Sequence, residues 1–318
     1  MIYSATSKRP KLSVTKSLNW KDVKAGVPCV VCADSELLLA DIPPNSVDAC
    51  VTDPPYGINF LNKGWDADLP KPEIWKRVLD ALKPGAPVMA FASPRTYHLM
   101  AAAITAAGFE VADQINWLYA TGMPKGTRLA DGSHTGLKPA HEPIVVARKP
   151  CLGTKRANNK QYGTGGFGVP KKDSSEKWPT NIIHDCSDEV VEALGGLAPF
   201  FACAKPSKNE REFGLTGFPL VMKSHDGRKK HINNAFQRNA VFRRNHHPTV
   251  KPLALMEWLI QRACPTAAGI ILDPFSGSGT TGMAASRLGY RFIGIEMCPA
   301  YAAISMARIA AARSYLKN

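Results

Sequence analysis

No stretch of this chain approaches the ~18 consecutive apolar residues that a membrane-spanning helix needs. The N-terminal region has no apolar segment of the secretory-leader kind, so the expected compartment is the cytoplasm. Metal-binding patterns are scarce as well. The 8 cysteines are scattered at positions 29, 32, 50, 151, 186, 203, 264 and 298. Cys29-Val30-Val31-Cys32 has ligand-like spacing but lies in an apolar run, where a strand would turn the two thiols to opposite sides. With no second Cys-x-x-Cys to complete a zinc site, the thiols read as reduced and partly buried. The histidines form no cluster, and His141-Glu142 lacks the second histidine that the helical zinc-protease pattern places four residues after the first. No metal is expected. A Gly-Lys-Ser/Thr ending is absent from the glycine-rich stretches, which argues against a P-loop, and no internal repeat is visible.

Acidic residues are the minority, and their shortage is local. The chain has 40 Lys and Arg against 26 Asp and Glu, a net +14 over 318 residues. Residues 148–251 hold 19 basic against 9 acidic side chains and residues 1–27 hold 6 against 1, while the remainder is close to neutral at 15 against 16. A neutral body with a basic insert and a basic arm suits binding to a phosphate backbone. The plainer alternative is a solvated basic surface. Against it, the insert mixes glycine and aromatics, as in Gln161-Tyr162-Gly163-Thr164-Gly165-Gly166-Phe167-Gly168, and carries the basic run Arg228-Lys229-Lys230-His231. Loops of this kind can follow a groove and reach base edges.

The tetrapeptide Asp53-Pro54-Pro55-Tyr56 follows the apolar run Val47, Ala49, Cys50, Val51, which reads as a buried parallel strand. Ligands of open α/β sheets gather outside the carboxyl ends of such strands. The prolines remove backbone donors and fix φ, leaving carbonyls as acceptors. Asp53 adds a second acceptor and Tyr56 a flat aromatic face, a set suited to a planar base with an exocyclic amine. A proline-stiffened strand exit without chemistry is the alternative.

A second strand, Ile270-Ile271-Leu272, runs into Asp273-Pro274-Phe275-Ser276-Gly277-Ser278-Gly279-Thr280-Thr281. Its glycines let the backbone approach a ligand as the chain turns into a helix. The next strand, Arg291–Ile295, ends at Glu296, where an acid can accept from ribose hydroxyls.

On these two motifs the chain resembles the amino-methylating DNA methyltransferases, whose signature is Asp/Asn/Ser-Pro-Pro-Tyr/Phe followed or preceded by Asp-Pro-Phe-x-Gly-Ser-Gly-Thr. The catalytic motif comes first and the glycine loop more than 200 residues later. That order is similar to the circularly permuted beta group, in which a target-recognition region separates the two halves. Leu82-Lys83-Pro84-Gly85, Ala140–Lys149, Trp178–Asp185, Phe200–Lys205 and His247-Pro248-Thr249-Val250-Lys251-Pro252 resemble further family segments.

The resemblance implies a doubly wound, Rossmann-like α/β sheet that uses S-adenosylmethionine and acts on double-stranded DNA. It covers the chain from about residue 28, after the basic arm over 1–27, and implies a catalytic half over 28–149, a recognition insert over 150–246 and a cofactor half over 247–318. It implies catalytic roles for Asp53, Pro54, Pro55 and Tyr56. Asp34, Thr249, Lys251, Asp273, Pro274, Phe275, Ser276, Gly277, Ser278, Gly279, Thr280, Glu296 and Met297 are implied to hold the cofactor, with Asp34 on its adenine. Asp at the first motif position goes mostly with adenine N6 in the family and Ser with cytosine N4, so adenine is favoured and cytosine stays open. Homodimers are common in the family, and nothing in this chain decides for one. A DNA-binding relative without catalysis would tolerate damage to either motif, and both are intact. A dehydrogenase would need a hydride-handling site, which is not found.

The pattern elsewhere predicts a mobile arm over 1–27, with Leu18 and Trp20 as docking points, and a strand over Cys29–Cys32 with a helix through Leu37–Ala40. It predicts helices over Pro72–Leu82 and Thr96–Ala107, with strands over Val88–Phe91 and Val111–Trp117. Gly122–Leu137 is expected to be a loop near the cleft. In 150–246 only a helix over Ser187–Leu194 is expected. Beyond it, helices over Met256–Ala263, Thr281–Leu288 and Tyr301–Leu316 are expected. Phe60 and Trp65 are candidates for pocket walls.

Overall fold

The computed structural model describes residues 15, 17–60, 64–120, 122, 126–169, 180–194, 203–223 and 241–314. Within them an eight-stranded sheet forms the centre. Its strands are β1 (Cys29–Val31), β2 (Ala49–Thr52), β3 (Pro87–Phe91), β4 (Glu110–Leu118), β5 (His141–Arg148), β6 (Ile182–His184), β9 (Ile270–Asp273) and β10 (Arg291–Ile295). Two more, β7 (Val221–Lys223) and β8 (Val241–Arg243), pair antiparallel as a separate ribbon. The sheet order is β1-β10-β9-β2-β3-β5-β4-β6, parallel from β1 to β3, with β5 antiparallel to both its neighbours.

Burial on both faces explains why the strands read as continuous apolar runs. Successive residues alternate between two cores. Ala49, Val51, Met89, Phe91, Ile144 and Val146 enter one, and Cys50, Val88, Ala90, Val145 and Ala147 enter the other. The first core is covered by α8 (Leu253–Ala263), α9 (Thr280–Arg287) and α10 (Pro299–Ser314), and the second by α2 (Ser35–Leu38), α3 (Pro72–Ala81) and α4 (Tyr97–Ala106). Each fully buried Phe, Leu or Ile in these layers contributes about 1.5–3 kcal/mol. Helix α3 starts with Pro72 at its first position, where proline's missing donor costs nothing, and buries Trp75, Val78 and Ala81 along one stripe. Cys29 packs in the second core and Cys32 against the first, on opposite faces as strand alternation requires.

Two expectations need correction. The arm is docked from residue 17 onward: α1 (Trp20–Lys24) is capped by Asn19, buries Val23 completely and sets Leu18 and Trp20, the expected docking points, against the second core. The Cys32 amide donates to the Thr15 carbonyl at 3.0 Å. Earlier arm residues lie outside the described ones.

The stretch 150–246 is more structured than its periodicity suggested. It contains α5 (Lys155–Tyr162), α6 (Asp188–Leu194) and α7 (Lys208–Glu212), and β6 extends the main sheet beside β4. Helix α5 escaped notice because its sequence, KRANNKQY, has no apolar stripe; its buried residue is Asn158. The Asn158 amide donates to the carbonyls of Pro84 at 3.0 Å and Thr164 at 3.2 Å, and accepts from the Leu152 amide at 3.0 Å. Satisfied this way it stabilises the fold, whereas removing it would strand these groups at about 1–3 kcal/mol.

The glycine and aromatic run 161–168, read above as a loop for a nucleic-acid groove, is consumed by packing. The Gly168 amide donates to the Arg262 carbonyl at 2.9 Å, and a Cβ there would stand 2.0 Å from the Gln261 carbonyl oxygen. Arg148 donates to the Gly165 carbonyl at 3.0 Å and lies 5.2 Å over the Phe167 ring. Glycine is needed here for backbone approach to α8. The basic run 228–231 lies outside the described residues, as do Trp178, Pro179 and Phe200–Ala202. No helix among the described residues is long and apolar enough to cross a membrane.

Candidate active site

Strands β2 and β9 are neighbours, with Cys50 opposite Leu272. This register brings the tetrapeptide after β2 and the glycine loop after β9 to the same end of the sheet, although 220 residues separate Asp53 from Asp273. The Thr52 hydroxyl donates to Asp273 at 2.6 Å and joins the two strand ends. Both motifs open into one cavity of about 780 Å³. Asp53, Pro54, Pro55 and Tyr56 line it, and so do Asp34, Thr249, Lys251, Asp273–Ser278, Thr280, Glu296 and Met297. Gly279 sits behind the wall, where a Cβ would meet Ser305. Phe60 and Trp65 also reach the cavity, and Trp65 stacks on His247 at 6.1 Å and 20°.

On the β9 side the walls fit a ribose-bearing ligand. Gly277 adopts φ +51°, and its amide donates to Glu296 at 2.8 Å. The second Glu296 oxygen accepts from the Cys298 amide at 2.8 Å. A Cβ on Gly277 would stand 2.9 Å from His247 Nε2, so the cradle exists because glycine leaves it open. Burial pushes the Glu296 carboxyl up to about 7 and that of Asp273 up to about 6, against the hydrogen bonds each accepts. Asp34 caps α2 through the Glu36 amide at 2.8 Å, and Ser35 donates to the Pro274 carbonyl. From behind, the fully buried Arg308 donates to the Ser278 carbonyl at 2.7 Å and to the Glu210 carbonyl at 3.1 Å. Desolvation lowers its guanidinium to about 10.

On the β2 side the tetrapeptide belongs to a charged cluster. Lys251 Nζ lies 2.6 Å from Asp53 Oδ2, 3.2 Å from Glu142 Oε2 and 3.2 Å from the Tyr56 hydroxyl. The Tyr56 hydroxyl donates to Asp53 Oδ1 at 2.7 Å. Lys251, implied above to hold the cofactor, is bonded to Asp53 and lines the cavity that both motifs share. Burial works to lower Lys251, but the carboxylates of Asp53 and Glu142 outweigh it and hold the ammonium above its ordinary range. Burial raises Asp53, with Glu142 adding to that and Lys251 opposing it. Burial and the same two acids push the Tyr56 hydroxyl well up, so it stays a proton donor.

Sequence reasoning missed Glu142, which sits in a strand segment that looks like plain β5 pattern. It missed Asp66 too, whose buried carboxylate takes the amides of Tyr56 at 2.6 Å and Phe60 at 2.7 Å and so shapes the loop after β2. Lys205 Nζ stands 3.8 Å over the Tyr119 ring on the same cavity. No group of three or more His, Cys, Asp or Glu among the described residues is placed to hold a metal ion.

An α/β sheet whose strand ends present an acid–proline motif beside a glycine cradle places a ligand crevice where open sheets of this kind bind their ligands. The DNA methylase family N6_N4_Mtase matches residues 47–307, and the chain belongs to that family. The type II methyltransferase M2.DpnII of Streptococcus pneumoniae is 51% identical over 65 residues, 20% of this chain and 24% of that protein. The match thus spans about a quarter of that curated relative's length. Among solved structures, the M1.HpyAVI–SAM complex has a TM-score of 0.50 at 23% identity, covering 88% of this chain and 98% of that one. The cytosine-N4-specific PvuII DNA methyltransferase has a TM-score of 0.56 at 19% identity, covering 88% and 86%. Those two likenesses concern the fold.

Proposed function

We propose that the protein is a site-specific DNA methyltransferase that moves a methyl group from S-adenosylmethionine to the N6 amine of an adenine flipped out of duplex DNA. The observation that carries this reading is the meeting of the tetrapeptide and the glycine cradle in one cavity. The motif order along the chain supports the permuted arrangement, and the basic residues of the insert 150–246 and of the arm are assigned to the DNA backbone.

S-adenosylmethionine brings the electrophilic methyl when bound. Glu296 would hold its ribose hydroxyls, Asp34 its adenine, and the Gly277 cradle would admit its backbone-facing edge. Asp53 and the Pro54 carbonyl would accept the two N–H hydrogens of the target amine. This favours a pyramidal nitrogen and supports its developing positive charge. Tyr56 and Trp65 would stack on the flipped base, recovering ~1–3 kcal/mol of the few spent in unpairing it. Orientation of amine and methyl can contribute up to about 7–11 kcal/mol.

Nucleoside mass spectrometry of duplex DNA incubated with the protein and S-adenosylmethionine tests the reading. N6-methyladenine is the expected product. N4-methylcytosine would transfer the assignment to cytosine, and no methylated base would overturn the function.

The raised Glu296 carboxyl has a consequence for pH. Ribose hydroxyls donate to an ionised acid, and burial pushes this carboxyl up to about 7. Its ionised share rises from about one tenth at pH 6 to about nine tenths at pH 8, so S-adenosylmethionine should bind roughly tenfold tighter at pH 8. The stability of the free protein runs the other way. A folded value above the unfolded one means the folded state holds the extra proton, so stability falls as pH rises from about 4.5 to about 7. Calorimetric titrations across this range check the first effect, and Glu296→Gln should flatten it.

A further inference from the structure

Lys251 has three N–H donors, and three acceptors surround it: Asp53 Oδ2, Glu142 Oε2 and the Tyr56 hydroxyl. The three charged groups come from three different parts of the fold, namely the exit of β2, the start of β5 and the entry to α8. The side chains of Lys251, Asp53 and Glu142 are only 7%, 17% and 21% exposed. Asp53 with Lys251 alone would be a neutral pair. Glu142 turns the cluster into two carboxylates around one ammonium, a surplus of one negative charge beside the amine site.

We infer that Glu142 and Lys251 are positioning residues for methyl transfer: Lys251 aims the Asp53 carboxylate, and Glu142 supplies the surplus negative charge that the reacting amine needs. The inference rests on the methyl-transfer reading above. In that reaction the amine lone pair forms the N–CH3 bond while the S–CH3 electron pair returns to sulfur. Positive charge leaves the sulfonium and appears on the nitrogen, whose extra proton then departs to Asp53. A fixed negative surplus near that nitrogen, absent from water and already oriented, favours the charge as it arrives. The other groups facing the cluster are Tyr119, whose hydroxyl donates to the His141 carbonyl at 3.3 Å, Lys205, which Glu142 attracts, and Asp273, which interacts with Asp53. Tyr119 adds no charge, Lys205 is a cation held over its ring, and the surplus is that of the cluster Lys251 bonds directly.

The test is the single-turnover rate of the full chain on duplex DNA across pH, with S-adenosylmethionine affinity measured in parallel. Glu142→Gln keeps the size and an acceptor but removes the charge; the rate should fall roughly 30- to 100-fold with cofactor affinity within about twofold. Glu142→Asp keeps the charge and should recover most of that loss. The acid limb of the rate profile should move down in Glu142→Gln, because Asp53 loses a repelling neighbour, and up in Lys251→Met, because it loses an attracting one.

A Glu142→Gln rate within about threefold of the parent, or Glu142→Asp as slow as Glu142→Gln, overturns the inference. Should Glu142→Gln fail to fold, the Lys251→Met profile decides, and an unmoved acid limb rejects the idea. A parent chain that transfers no methyl group would sink the functional reading itself. A parent that transfers, Asp53→Ala that does not, and Glu142→Gln that matches the parent would sink only the inference.

Discussion

Asp53→Ala should slow methyl transfer to duplex DNA by about 10²–10³, equivalent to ~2–4 kcal/mol of transition-state stabilisation. The carboxylate is held at both oxygens, Oδ1 by the Tyr56 hydroxyl at 2.7 Å and Oδ2 by Lys251 at 2.6 Å. Each oxygen keeps a further lone pair, so Asp53 can be oriented by the protein and still accept from an amine. Alanine removes the acceptor and leaves Lys251 with Glu142 and Tyr56 as its remaining partners. The lysine therefore stays paired, which keeps the variant folded and makes the rate loss interpretable. Cofactor affinity should change far less, because Glu296 and the Gly277 cradle stand after the neighbouring strands. The rate is read by transfer of labelled methyl groups and the affinity by calorimetry. Near-parental transfer by this variant would show that the chemistry occurs elsewhere.

Gly277→Val should weaken S-adenosylmethionine binding by roughly 30-fold or more, about 2 kcal/mol. The residue sits at φ +51°, a region that costs an L side chain about 1–2 kcal/mol and a β-branched one more. The new Cβ would also press on His247 Nε2 at 2.9 Å, and His247 is itself packed against Trp65 and Tyr301. Relief of either strain moves the amide that now donates to Glu296 at 2.8 Å, so cradle and ribose acid fail together. Titration calorimetry without DNA measures the loss, with NAD as the control ligand. Retained affinity in Gly277→Val, or NAD binding as strong as that of S-adenosylmethionine, would contradict the cofactor assignment.

Much of the sheet was legible before folding was considered. Strands β2, β9 and β10 are dense apolar runs ending in Asp-Pro or in a lone acid, and the observed bounds differ from the expected ones by a residue or two. Such runs are visible because parallel strands are buried on both faces. Helices α3, α4, α8, α9 and α10 likewise carried enough apolar positions to be seen. What escaped was held by polar atoms. Helix α5 rests on one buried asparagine, and the run 161–168 rests on a backbone bond to α8 and on the Arg148 side chain of β5. Contacts of that kind leave no periodic trace.

The sequence by itself determined the chemistry available: an acid followed by two prolines and a tyrosine, a glycine-rich turn, a following acid, and a basic insert. Local patterning suffices for these, because strand ends, proline geometry and glycine turns are properties of a few adjacent residues. Only the tertiary structure decided which of these groups meet. It set β9 beside β2, bonded Lys251 to Asp53, and brought Glu142 from β5 to complete the cluster. It also spent the glycines of 161–168 on packing. Charge pairing between residues up to 198 positions apart depends on sheet order and strand register, which no local pattern encodes.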